Sequence, residues 1–250
     1  MALKPNRMLL AAMWAIGFAS AASAADLPVY TKAPPPVWSW TGFYAGGNLG
    51  YSWGNADTTV SFVDGTGTVL ATSNQSIGIN GVIGGGQMGY NWQTGRWVLG
   101  LEADIQATGQ QGTATFQCGA PCVTPQSETV TVKMDWFGTA RGRLGYTVTP
   151  TVLLYGTGGL GYGDVETSGS GTSSFSGSTW HLGWTAGAGI ETRIAGNWTA
   201  KLEYLYFSDA VANCPRVGNV CQPTPPISAS VSSGVTADNI VRVGVNYIFK

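Results

Sequence analysis

Eleven charged side chains recur at alternate positions along this 250-residue sequence: Glu102, Asp104, Lys133, Asp135, Arg141, Arg143, Glu191, Arg193, Lys201, Glu203 and Arg242. Carboxylates two apart, such as Glu102 and Asp104, are raw material for acid and base work, and the single histidine, His181, lies close to Ser176 and Ser178, as a nucleophile's base would. Both readings weaken on inspection. Arg141 and Arg143 share the parity that would bring them against Glu102 and Asp104, which favours structural ion pairs, and no motif surrounds His181. The sequence therefore predicts no catalytic residue and no cofactor site. The four cysteines fall as Cys118 with Cys122 and Cys214 with Cys221. A zinc site would need all four thiolates to converge, whereas a secreted chain favours disulfides. Local pairing is favoured because short loops close most easily, although four cysteines permit three connectivities. No metal site is predicted.

The elements that must position the charges are strands. From Trp180 to Ile194 apolar residues hold one parity (Trp180, Leu182, Trp184, Ala186, Ala188, Ile190, Ile194), while His181, Thr185, Glu191 and Arg193 hold the other. Successive side chains of a strand point to opposite faces, so one face is apolar and the other polar. Fifteen residues exceed an ordinary half-buried strand. Eight candidates of this kind follow one another, at about 40–53, 77–92, 97–108, 129–148, 152–164, 179–194, 198–209 and 239–249. Short connections at 93–96, 149–151 and 195–197 alternate with long ones at about 54–76, 110–128, 165–178 and 210–238. Short turns at one end and long loops at the other are the layout of an up-and-down membrane barrel.

Facing follows strand by strand. Trp97, Leu99, Leu101, Ala103 and Ile105 point outward, as do Met134, Trp136, Ala140, Leu144, Tyr146 and Val148. Trp198, Ala200, Leu202, Tyr204 and Tyr206 do likewise, followed by Val241, Val243, Val245, Tyr247 and Phe249. Tyr44, Asn48, Gln87, Asn91 and Asn246 point inward; the segment 152–164 has no defensible parity. All eleven charges fall on the inward parity. A charged residue on the lipid face near the midplane costs about 2–4 kcal/mol for Arg or Lys, so that face is cleared and the lumen is not. A soluble ligand-binding barrel would have the two faces exchanged. Five acids and six bases in a barrel just wide enough for its own side chains predict a self-neutralising interior.

Ahead of the strands, Lys4 and Arg7 precede an apolar stretch from Met8 to Ala19 and a small-residue site at Ala22, Ser23 and Ala24. Such a stretch is too short to span a bilayer as a helix, so residues 1–24 read as a signal peptide. Residues 25–39, with Pro34, Pro35 and Pro36, read as a periplasmic lead-in, and 40–250 as the barrel domain. Charged residues make up only 10% of the chain, and removal of the leader leaves 10 basic against 13 acidic residues. That balance excludes nucleic acid as a partner. Glycine runs near Gly81 to Gly89 and Gly158 to Gly163 lack the strand, helix and acidic residue of a phosphate loop, and glycine in a small barrel makes room for larger lumen side chains.

Four segments carry a resemblance: residues Trp40 to Tyr51, Gly86 to Gln93, Trp136 to Tyr146, and Arg242 to Phe249. In this order they resemble the porin-family outer-membrane proteins of alphaproteobacteria, of the immunogenic surface-antigen type. The resemblance implies an all-β, eight-stranded antiparallel barrel without catalytic residues. It implies a structural and surface role, envelope integrity together with surface interaction, with a narrow porin for ions or small polar solutes as the alternative. The partners implied are outer-membrane lipid, lipopolysaccharide and the outer-membrane assembly machinery, and a host or environmental ligand would be met through the extracellular loops. Such barrels end on an aromatic residue that the machinery reads, which assigns that part to Phe249; here Lys250 follows it.

Overall fold

The computed structural model describes residues 38–64, 66–118, 126–171, 174–209 and 227–250. The expected signal peptide, most of the expected lead-in segment, and Cys122, Cys214 and Cys221 lie outside them. The strands are β1 (Gly42–Asp64), β2 (Val69–Thr94), β3 (Trp97–Cys118), β4 (Gln126–Thr149), β5 (Val152–Gly171), β6 (Phe175–Ala195), β7 (Trp198–Asp209) and β8 (Ile227–Phe249). Each pairs antiparallel with its sequence neighbours, and β1 pairs with β8 to close the barrel. The expected order and number of strands are those observed. Tight turns at 95–96, 150–151 and 196–197 join them at one end, and Gly95 and Gly196 supply the left-handed backbone there, with φ of 61° and 53°.

The strands are longer than the alternation suggested. Much of the sequence expected in loops at 54–76, 110–128 and 165–178 continues the ladders. In those stretches Thr and Ser alternate with Val, Ile or Phe, a pattern with good β-propensity that resembles loop composition when counted by residue type. Cross-strand hydroxyl pairs hold it together: Ser61 with Thr72 at 3.3 Å, Thr113 with Thr131 at 3.1 Å and Thr115 with Thr129 at 3.2 Å.

These extensions reverse the facing of the lower wall. Along β1, Phe43, Ala45, Gly47, Leu49, Tyr51 and Trp53 point outward, after which Asn55, Asp57, Thr59 and Ser61 take the same parity. Phe43 to Trp53 spans about 33 Å along the strand, or about 25 Å of height at a 40° tilt, the thickness of the apolar band of an outer-membrane barrel. Rings mark both edges of the band: Trp97, Tyr146, Trp198, Tyr247 and Phe249 below, and Trp53, Trp136, Trp180, Trp184 and Tyr206 above. Above it the interior becomes apolar, packed by Val60, Phe62, Ile77, Ile79, Phe116, Val130, Val132, Met134 and Val165.

Two corrections to the facing follow. Lys133 and Asp135 are exposed on the outer wall and Met134 is buried, because a bulge between Met134 and Trp136 shifts the register by one residue and exchanges the faces above it. Arg193 is also exposed. A register shift between Arg193 and Ala195 leaves it at the periplasmic mouth, where its guanidinium lies 4.6 Å from the Trp38 ring centroid.

Candidate functional site: the buried charge network

Eight of the eleven expected lumen charges are buried inside the wall: Glu102, Asp104, Arg141, Arg143, Glu191, Lys201, Glu203 and Arg242. They balance as four acids and four bases. Arg141 is the hub. Its Nη2 meets Glu102 and reaches Asp104 Oδ2 at 2.9 Å, while Nη1 reaches Glu203 Oε1 at 3.2 Å. Arg242 donates to Glu203 Oε2 at 2.7 Å and to Asp104 Oδ2 at 2.9 Å. Lys201 Nζ lies 2.9 Å from Glu102 Oε1, and Arg143 Nη2 lies 2.7 Å from Glu191 Oε2.

Strand parity brings these groups inside, and the narrow bore brings them together. Lys201 on β7 reaches across to Glu102 on β3, and Arg143 on β4 reaches Glu191 on β6. The expected contact of Arg141 with Glu102 and Asp104 is made, and cations from more distant strands join it. Inward glycines make room for these long side chains: a Cβ at Gly50 would lie 2.7 Å from Arg242 Cβ, and one at Gly100 would lie 2.9 Å from Arg143 Cγ. Neutral donors complete the carboxylates' hydrogen bonds. Tyr44 Oη donates to Glu102 Oε2 at 2.7 Å, Tyr155 Oη to Glu203 Oε1 at 3.0 Å, Thr199 Oγ1 to Glu191 Oε1 at 2.6 Å, and Asn246 Nδ2 to the same oxygen at 3.0 Å. Arg143 lies 3.9 Å above the Tyr155 ring. Tyr155 and Thr199 carry no charge and Tyr155 sits on the strand without readable parity, so only the alternation of Leu153 and Tyr155 against Leu154 could have placed it.

Apolar layers bound the network at both ends. Below it Trp40, Tyr44, Val98, Leu153, Tyr155 and Ile248 pack together. Trp40 is wholly buried; its backbone N–H donates to Gln93 Oε1 at 2.7 Å and its indole N–H to the Pro150 carbonyl at 3.3 Å. Trp38 stacks edgewise on Trp40 at 6.0 Å, and Lys250 Nζ stands 3.6 Å from the Trp38 ring centroid. Burial lowers the pKa of Lys250, and the nearby Arg193 charge lowers it further. Phe249, the expected assembly signal, stays on the wall with Phe43 at 5.8 Å and Tyr247 at 5.1 Å. Cys118 is disulfide-bonded and buried in the upper core. His181 is buried in the upper half of the lumen wall.

An apolar belt edged by rings, around a closed ladder with a charged interior, defines an outer-membrane β-barrel. Comparison with known proteins agrees. The outer membrane protein beta-barrel domain family matches residues 10–249, and this chain belongs to that family. It is 39% identical to the 31 kDa outer-membrane immunogenic protein of Brucella melitensis over 93% of this chain and 95% of the relative. It is 36% identical to a 22 kDa outer membrane protein of Rhizobium leguminosarum bv. viciae over 68% of this chain and 65% of that one. Among solved structures, OprG of Pseudomonas aeruginosa aligns over 85% of this chain and 99% of its own, with 10% identity and a TM-score of 0.44. The protein resides in the bacterial outer membrane.

Proposed function

We propose that this barrel is a non-enzymatic, non-conducting structural protein of the outer membrane, which supports envelope integrity and carries a surface for interaction with its surroundings. The observation that carries this reading is the neutral cluster of eight buried charges across the lumen, with apolar layers above and below it. A conduction path needs water along the bore. Here the four carboxylates and four cations engage one another, and moving an ion past them would break several charge-assisted hydrogen bonds in a medium where each is expensive to lose. The same engagement argues against acid or base catalysis, because every carboxylate of the cluster is held by at least one cation.

The partners that fit this reading are membrane lipid and lipopolysaccharide around the wall, the assembly machinery reading Phe249, and an environmental or host ligand at the outer end. Planar-bilayer recording of the purified, folded protein tests the central point. The expected result is a silent membrane; steady, reproducible conductance steps would establish the narrow-porin alternative instead.

A further inference from the structure

Among the described residues two buried carboxylates, Glu128 and Asp238, stand outside the neutral cluster. Asp238 on β8 is 2% exposed and faces the lumen opposite Gly54, whose missing side chain leaves room for Asp238 Oδ1. Among the described residues no lysine or arginine meets it; the four lumen cations are all engaged by Glu102, Asp104, Glu191 and Glu203. Among the described residues its side-chain partner is the buried amide of Gln110, whose Nε2 donates to Oδ2 at 2.9 Å. Asp238 Oδ1 and Gln110 Oε1 are both buried without a hydrogen-bond partner.

An ionised carboxylate left so would have no cation, only the Gln110 amide and the Asn239 backbone N–H as donors, while Gln110 Oε1 would have no donor at all. One added proton removes both faults. We infer that Asp238 is a proton-binding site: in mildly acidic solution it takes up a proton and forms with Gln110 a cyclic acid–amide pair, in which Gln110 Nε2–H donates to one carboxyl oxygen and the Asp238 O–H donates to Gln110 Oε1. A protonated aspartate kept neutral to act as a donor is known chemistry for apolar sites.

The surroundings suit a neutral acid. On β7 the residue in register with Asp238 is Phe207, and on β8 the next inward residue is Ile240. On β1 the neighbours are Gly54 and the hydroxyl of Ser52, and the acids of that strand lie away from it, Asp57 exposed on the outer face and Asp64 at the outer tip. On β3 the acid below Gln110 is Asp104, held by Arg141 and Arg242; on β8 itself Arg242 is held by Glu203. Among the described residues the other buried titratable side chains of this half, besides the disulfide-bonded Cys118, are His181 on β6 and Glu128 on β4. In the unfolded chain an aspartate is already ionised in mildly acidic solution, so folding there takes up this proton, and the stability that Asp238 contributes falls as the pH rises toward neutral.

Infrared spectroscopy of the folded protein in lipid reads the proton directly. Wild type at pH 5 should show the C=O stretch of a neutral carboxyl, and Asp238→Asn, which keeps the shape and can pair amide to amide, should lose it. Absence of the band from wild type, or its persistence in D238N, would overturn the assignment. A band that appears only after sodium and potassium are withdrawn would give the seat to a metal cation and overturn it equally. Unfolding midpoints between pH 4 and 7 supply a second readout. Wild type should lose stability across this range with a slope that D238N lacks, and equal slopes would count against the proton.

Discussion

The same strands build two opposite kinds of barrel. In the lower half apolar side chains line the outer wall and ionised ones fill the bore; in the upper half Phe62, Phe116, Val130 and Val132 fill the bore, and Thr, Ser, Asn and Gln cover the outside. The change falls at the ring of Trp53, Trp136 and Trp180. What differs is the solvent. Hydrocarbon outside expels charge and tolerates leucine, so the lower core can be ionic, whereas water outside draws the apolar groups inward as in any soluble domain.

That contrast can be broken at several points. The largest effect is expected at the hub: Arg141→Ala leaves Glu102, Asp104 and Glu203 short of a cation and should cost about 3–5 kcal/mol in urea unfolding from lipid vesicles. The upper half should respond to volume instead of charge, so Phe116→Ala should cost a similar about 3–5 kcal/mol through a cavity; a near-neutral result would mean that its core is not packed. A matched pair on the outer wall of β3 is more discriminating. Leu101→Arg should cost about 2–4 kcal/mol in the same assay, and Thr115→Arg, on the same face above the ring, should stay within about 0.5 kcal/mol. Equal costs would erase the boundary between the halves.

Two smaller effects probe the ends. Lys250→Ala removes one of two cations from the Trp38 ring and should cost about 0.5–1 kcal/mol, with Trp38 fluorescence as the local reporter. At the outer tip, hydrogen bonds from the Thr66 hydroxyl and then the Thr68 and Thr66 backbone lower the pKa of Asp64. Order in that turn should hold above the usual carboxylate range and fade as the pH falls below it, which a carboxylate NMR titration compared with Thr66→Ala would reveal.

Much of the lower half was legible because its rule is binary. Charged residues at Glu102, Arg141 or Arg242 have one permitted face, and period-two alternation names it. The upper half obeys the reverse rule with weaker residues, so Phe116 between Thr115 and Gln117 read as loop. A single bulge beside Asp135 then exchanged the faces of Lys133, Met134 and Asp135, and alternation carries no mark of an extra residue. Partner choice inside the bore was also out of reach. Periodicity reports which side of the wall a residue occupies, and the distance from Lys201 to Glu102 depends on how small a circle the wall makes.

The switch of pattern at the aromatic ring also gives the wall a scale. Sliding the barrel outward by two residues would put Leu49 and Leu101 nearer to water, and sliding it inward would push Asp57 and Gln111 toward acyl chains. Either displacement is opposed on every strand that carries the switch, so the molecule has one floating depth, written into its sequence like a waterline on a hull.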